Sequence, residues 1–163
     1  MRRTPSSSRL PADPTTTWAS DVVAGRILAG ELVRHAAERH LKDLRDGAAR
    51  GLYWAPDRAG RALAFPPAVL TITAGAKAGD PFHPLPWHTF VVGSLFGWRM
   101  ASGRMRFRNG WLETGKGQAK SPLMAAIGLY LMGWYGVPRS SVYAIGQDKA
   151  TANVLFSDAV AMS

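Results

Sequence analysis

Apolar residues recur at three- and four-residue steps from Trp18 to Leu44, the stripe of an amphipathic helix. Gly25 and Gly30 interrupt the stripe, so the sequence predicts a short helix followed by a longer one from about Glu31. Further helices are predicted over residues 87–100, 122–134 and 150–162. These patterns predict a chain rich in helix.

Two segments have the character of strands. Residues 104–114 alternate basic and apolar side chains, and residues 141–146 form a short run of the buried type. With the helices after each of them, the order β, loop, α, β, α is typical of a parallel β-α-β unit. In the apolar stretch 62–73, Pro66-Pro67 is expected to block a helix before it, and strand and helix stay open after it.

The pattern divides the chain into three parts. Residues 1–17 contain three prolines and show neither helical nor strand period, so they predict a flexible basic arm. Residues 18–80 are predicted to form a helical N-terminal region. Residues 81–163 are predicted to form an α/β core.

Composition narrows the class of partner. The 163 residues carry 20 Lys and Arg against 11 Asp and Glu, a formal net charge of +9. This charge favours polyanions such as nucleic acid or an anionic membrane surface, although an ordinary basic protein carries such charge only for solubility. The absence of cysteine excludes a disulfide scaffold, a thiolate metal site and a cysteine nucleophile. No apolar run approaches the roughly 18 residues of a membrane span, so we expect a soluble protein with no membrane partner.

The candidate chemistry lies between the strand and the helix of the predicted core. The segment consists of Gly115, Lys116, Gly117, Gln118, Ala119, Lys120 and Ser121. A phosphate loop needs small residues for close approach of backbone N–H groups, a lysine for the phosphates and a hydroxyl for Mg²⁺. Strict spacing would place glycine at Thr114 and Ala119, so the residues alone leave a phosphate loop and a plain Gly-rich turn as alternatives.

A wider comparison adds to this interpretation. The run RFRNGWLETGKGQAKSPLMAAIGLYLMGWYG resembles the Walker A region of tailed-phage terminase large subunits, the DNA-packaging ATPases. The segments 18–44, 84–98 and 142–162 are similar to further parts of that family, in the same order. The resemblance implies an α/β fold, a partial P-loop NTPase with a parallel β-α-β core around a Walker A-like loop, preceded by an α-helical region.

The resemblance also implies roles for individual residues. Lys120 would bind phosphate, Ser121 would bind the Mg²⁺ of ATP, and Lys116 would be the extra basic residue of the loop, unless it is only a solvated lysine. Trp87 and His88 occupy the place of a Trp-Gln pair thought to hold the adenine, although core packing explains Trp87 equally well. The implied partners are double-stranded DNA, the terminase small subunit and the portal of the prohead, in the cytoplasm of the bacterial host.

Three departures from the family pattern bear on activity. Ala119 replaces a glycine and Gln118 is bulkier than usual, so we expect weakened nucleotide binding. Neither Asp148 nor Asp158 follows an apolar strand as a Walker B acid should, and an acidic nuclease cluster is also absent from these residues. The chain alone is therefore expected to bind nucleotide without efficient turnover.

Two other hypotheses remain open. In the first, the chain is a non-catalytic basic module that binds DNA or a partner through charge, for instance the remnant of a decayed prophage gene. In the second, the chain is a product with no stable fold of its own.

The histidine pairs 35/40 and 83/88 do not favour a metal site. Their five-residue spacing does not put both histidines on one helical face, and no acid or cysteine cluster joins them.

Overall fold

A computed structural model of the chain describes residues 13–163. Within this range it contains six α-helices and two short strands. In chain order they are α1 (Pro14–Val23), α2 (Glu31–Asp46), β1 (Leu52–Trp54), α3 (Pro56–Val69), α4 (Pro86–Gly97), β2 (Trp98–Met100), α5 (Lys120–Leu129) and α6 (Lys149–Met162). A 3-10 turn, Gly47–Arg50, follows α2, and a π-helical turn, Tyr130–Trp134, continues α5.

Helix α1 begins earlier than the sequence pattern predicts. The carboxylate of Asp13 accepts hydrogen bonds from the backbone N–H groups of Thr15 and Thr16, both at 3.0 Å. Pro14 occupies the first turn, where its missing N–H costs no hydrogen bond. The assignment of residues 14–17 to a flexible arm is therefore wrong, and residues 1–12 of that arm lie outside the described residues.

The helices of the amphipathic segment are confirmed. α1 and α2 are separate, with the break at the predicted glycines, and Gly25 adopts a φ of 75° that favours glycine. α4, α5 and α6 also lie in the segments predicted to be helical, although residues 98–100 form a strand instead. Local periodicity thus identifies these helices correctly.

Helix α3 continues through the two prolines that were expected to interrupt it. Pro66 and Pro67 cannot donate to the carbonyls one turn earlier, so the helix loses two hydrogen bonds. Pro66 itself is buried beside Phe65, and its carbonyl still accepts from the Leu70 N–H at 2.8 Å. Burial of Phe65 and Pro66 contributes apolar stabilisation at this turn.

The sheet differs from the prediction. β1 and β2 pair antiparallel in a two-stranded sheet, with Leu52 opposite Met100 and Trp54 opposite Trp98. In residues 104–114 only Met105 makes a bridge, to Arg99, and residues 141–146 contain no strand. The predicted parallel β-α-β core is therefore not formed among residues 13–163.

The predicted parallel strands lack the coverage that such strands require. Such strands are stable when neighbours cover their edges and helices cover both faces, and two strands alone are marginal. Ile145 in one predicted strand is 94% exposed, and Trp111 in the other is 91% exposed. The fold is consequently a helix-rich mixture with a small sheet, which is compatible with part of an α/β ATPase domain.

The chain divides into two compact units, of which the first comprises Met1–Gly60 with Thr89–Arg108. Its apolar core joins α1, α2 and α4. The buried members are Ala19, Val22, Ala37, Leu41 and Phe90, and Trp18, Ile27, Ala29, Ala36 and Leu44 pack against them. The ring of Trp18 stacks on Phe90 with centroids 4.9 Å apart.

A buried polar chain runs through this first unit. The indole N–H of Trp98 donates to Nδ1 of His40 at 2.9 Å, and an indole nitrogen can only donate. Nε2 of His40 must therefore carry the proton, which it donates to the Thr16 hydroxyl at 3.0 Å. That hydroxyl donates in turn to Asp13 at 2.7 Å, and Trp54 also donates to Asp13, at 3.2 Å. The packing thus fixes one neutral tautomer of His40.

The second unit comprises Arg61–His88 with Asn109–Ser163. α5 packs against α6, and the ring of Phe65 contacts the rings of Tyr130 and Trp134 at 5.4 and 4.7 Å. Residues 70–82 form a hairpin, called here the 70–82 hairpin, with Thr71 bridged to Pro81. This unit contains all residues of the predicted phosphate loop.

Candidate functional site

The loop before α5 has the backbone of an anion site. Lys116 and Gly117 form a turn, and Gly117 has a φ of 84°, a value that favours glycine. α5 then begins at Lys120 without a side-chain cap. The first N–H groups of a helix have no partner within it, and since Pro122 has no N–H, those of Lys120 and Ser121 are the ones available to an anion here.

Ala119 lies directly before this helix in a left-handed conformation. Its φ is 52° and its ψ is 32°, and its carbonyl accepts the first helical hydrogen bond from Leu123 at 3.1 Å. A residue with a Cβ pays about 1–2 kcal/mol for this conformation, whereas glycine adopts it freely. The glycine preference expected at this position from the resemblance therefore has a backbone cause in this chain.

The loop lines a cleft of about 1020 Å³ within the second unit. Ligand pockets commonly have volumes of about 300–1,000 Å³, so the cleft has room for a nucleotide. Three segments form its walls: the 70–82 hairpin with the residues up to Pro86, the loop with the start of α5, and α6. The helix contributes Val154, Asp158 and Met162, which follow each other at four-residue intervals along one face.

The charges in the cleft are three lysines and two aspartates. Lys77, Lys116 and Lys120 are exposed, and none of them forms an ion pair with a carboxylate of the described residues. Asp80 and Asp158 are likewise without a cationic partner in that part of the chain. Unpaired lysines that converge on one cleft repel each other, and an anionic ligand would relieve this repulsion.

Trp87 and His88 lie at the start of α4, in the same unit. Trp87 is half-buried and its ring meets that of His88 edge-on, with centroids 4.1 Å apart. The neighbouring Leu85 and Pro86 line the cleft, whereas Trp87 and His88 are not among the lining residues. Their predicted role in binding adenine stays a prediction.

The imidazole of His88 is fully buried. Its Nδ1 accepts the N–H of Leu85 at 3.1 Å, while its Nε2 has no hydrogen-bond partner in the described part of the chain. Burial lowers the pKa of His88 from 6.5 to about 4, opposed by an interaction with the backbone of Gln118. This neutral side chain therefore lies against the loop, and the structure brings the two predicted parts of the site close to each other.

Lys77 and Asp158 are among the cleft residues that were not found from the sequence. Lys77 stands in a Gly- and Ala-rich segment with no pattern that would assign it to a site. Asp158 was considered only as a Walker B acid, although its four-residue spacing from Val154 and Met162 was a usable signal that it shares their helix face. Among the residues described, no group of three His, Cys, Asp or Glu side chains could hold a metal ion, and no helix is long and apolar enough to cross a membrane.

Comparison with known proteins gives a match to a family model. Residues 86–162 match the family model of the terminase large subunit, ATPase domain. No significant match was found among curated proteins or among solved structures. The matched segment contains the entire loop, α5 and α6, and an ATPase family implies that nucleotide is bound. Residues 86–162, just under half of the chain, are therefore similar to the ATPase domain of the terminase large subunit, which supports a fragment of such a subunit.

Proposed function

We propose that the chain binds ATP with Mg²⁺ in this cleft and is the ATP-binding part of a motor that packages viral DNA into proheads. The observation that carries the proposal is the position of residues 115–121. They lie inside the family match, begin an uncapped helix, and line a nucleotide-sized cleft with unpaired lysines. Each of these properties favours a polyphosphate ligand.

The loop residues suit distinct parts of the ligand. The free N–H groups at the start of α5 would hold the phosphate oxygens, and the Lys120 ammonium would neutralise their charge. The Ser121 hydroxyl, half-buried on the cleft wall, would ligate the Mg²⁺ that accompanies ATP. Lys116, exposed in the turn, would approach the terminal phosphate. The donors present thus fit a magnesium nucleotide.

The adenine would lie toward the start of α4. Trp87 offers a large half-buried ring next to the cleft-lining Leu85 and Pro86. His88 has one ring nitrogen without a hydrogen-bond partner in the described part of the chain, which is the type of group that a base could satisfy after a small movement. These two residues complete the proposed nucleotide site.

The proposed partners follow from the family. As a terminase, the complete motor would act on double-stranded DNA, together with the small subunit and the portal of the prohead, in the cytoplasm of the bacterial host. The net charge of +9 suits contact with DNA. We propose nucleotide binding rather than turnover for this chain, because no carboxylate follows a strand beside the loop in residues 13–163.

Nucleotide binding can be measured directly on the full chain. A fluorescent ATP analogue displaced by ATP, with Mg²⁺ or with a chelator, should give a defined Kd. Lys120→Ala should weaken ATP binding about tenfold to a hundredfold, the value of a charge-assisted hydrogen bond. Ser121→Ala should reduce the difference between the ATP affinity measured with Mg²⁺ and the ATP affinity measured with a chelator. Lys149→Ala, at the start of α6 and outside the cleft lining, is the matched control. Equal affinity of the Lys120 and Lys149 variants would refute the proposed site.

The second candidate function is charge-driven DNA binding by a non-catalytic module. The strained Ala119 and the net charge of +9 favour it, since the first weakens a phosphate loop and the second needs no nucleotide. DNA binding that falls steeply with salt, ignores ATP and survives Lys120→Ala would support this function over the first.

A further inference from the structure

We propose that the 70–82 hairpin is the second phosphate-binding wall of the cleft, and that Lys77 contacts the polyphosphate of the bound nucleotide from it. The inference rests on the proposed nucleotide site and deepens it. It assigns a ligand contact to a segment that lies outside residues 86–162, the part matched to the ATPase family.

The hairpin is held by its own backbone hydrogen bonds. Phe82 N–H donates to the carbonyl of Leu70 at 2.9 Å, and Ile72 N–H donates to that of Asp80 at 2.8 Å. Asp80 N–H donates to the carbonyl of Lys77 itself at 3.0 Å. Buried Leu70 and Phe82 anchor the base of the hairpin. A tip fixed in this way presents the lysine from a defined position rather than from a loose loop.

The hairpin is also tied to α6, which forms another wall of the cleft. The N–H of Thr71 donates to the carbonyl of Met162 at 3.1 Å, at the end of α6. Met162 is buried, and Asp158 lies one turn earlier on the same cleft-lining face. The hairpin and the phosphate loop are therefore walls of one cavity with a shared third wall.

The surroundings of Lys77 favour an anion over a neutral ligand. Its ammonium is exposed and without a carboxylate partner among the described residues, as are those of Lys116 and Lys120 on the loop. A Cβ added at Gly75 or Gly79, on either side of Lys77, would meet nothing within 4 Å, so the tip is open. A compact, mobile ammonium suits phosphate oxygens better than it suits a base or a ribose.

The test compares ATP with a ligand that has phosphates only. Displacement of a fluorescent ATP analogue from the full chain is measured with ATP and with inorganic tripolyphosphate. Lys77→Ala should weaken both competitors about fivefold to tenfold, as expected for one exposed charge-assisted contact. Lys77→Arg should keep most of the affinity, because it keeps the charge. Lys149→Ala should bind both ligands like the unaltered chain.

The outcomes separate this inference from the proposed function. Unchanged affinity of Lys77→Ala for both ligands, with loss in Lys120→Ala, would overturn the role of the hairpin and leave the loop site intact. Weaker binding of ATP by Lys77→Ala, with unchanged binding of tripolyphosphate, would overturn the assignment of Lys77 to the phosphates. If the unaltered chain binds neither ligand, the site itself is refuted, and the hairpin proposal falls with it. A thermal unfolding curve for each variant shows that a loss of binding is not a loss of fold.

Discussion

Acid should destabilise the first unit because its folded state holds His40 in the neutral form. Burial lowers the pKa of His40 from 6.5 to about 4, and Arg106 adds to the effect, while Asp13 and Asp43 oppose it. A proton added at Nδ1 would also face the indole N–H of Trp98, so that two donors would meet. Lowering the pH from 7 to about 4 therefore adds a proton to the buried ring of His40 against these interactions.

The size of the effect follows from the two pKa values. Between pH 6.5 and about 4 the unfolded chain binds a proton at this residue and the folded chain does not, so stability falls as the pH falls. At 1.36 kcal/mol for each pH unit, the total loss is about 3 kcal/mol, and it levels off below the folded pKa. This is a large part of the roughly 5–15 kcal/mol that stabilises a typical domain.

Urea unfolding at pH 7 and pH 4.5, followed by circular dichroism, measures this loss. His88 has a similarly low pKa of about 4 and adds its own loss, so the informative quantity is a difference between proteins. Replacement of His40 by Gln should reduce the loss between the two pH values by about 2–3 kcal/mol. The same replacement at His35, exposed on the same helix, should leave the loss unchanged. If the His40 and His35 variants show equal pH dependence, the reasoning is refuted.

Three further substitutions have expected outcomes. Ala119→Gly should raise the free energy of unfolding by about 1 kcal/mol and tighten ATP binding, as measured by thermal unfolding and nucleotide titration. The control Ala150→Gly, at the exposed start of α6, should instead lower the free energy of unfolding by about 0.5–1 kcal/mol. Gly93→Ala would place a methyl group 1.8 Å from a threonine hydroxyl and should cost about 1–3 kcal/mol in urea unfolding, while Gly60→Ala, with open space around it in α3, should be neutral or stabilising. Asp43→Asn removes the charge of a carboxylate that is 2% exposed and is shared by two guanidinium groups. It should lower the free energy of unfolding, measured in urea at pH 7, by about 3 kcal/mol. A loss below about 0.5 kcal/mol, the usual limit for surface changes, would contradict this.

The helices could be predicted because their signal is local. The stripe of α2 repeats over sixteen residues, and its end at Asp46 was marked by the glycine that follows. The start of α1 is also encoded locally, since Asp13-Pro14 is a favourable cap followed by a favourable first residue, a signal that the prediction did not use. The continuation of α3 through its prolines depends on burial, which the local pattern does not contain.

The strands could not be predicted to the same degree because their stability is not local. Residues 141–146 have a strand composition, yet a strand forms only where a partner supplies hydrogen bonds along its edge. The strands that do form, β1 and β2, have three residues each and lie far apart in sequence, and neither has a clear alternating pattern. Pairing of this kind depends on the helices that bring the two segments together.

The difference between local and non-local signals also applies to the candidate site. The loop before α5 is one continuous segment, so its glycines, lysines and serine were visible together in the sequence. Ala119 shows how far local reasoning extends: an alanine in a glycine position signals either a close ligand or a strained backbone. Its φ of 52° lies in the left-handed region, so the backbone conformation by itself is enough to explain a preference for glycine. Lys77 and Asp158 line the cleft only through the fold of the hairpin and the packing of α6, and such contacts between distant segments have no local signal in the sequence.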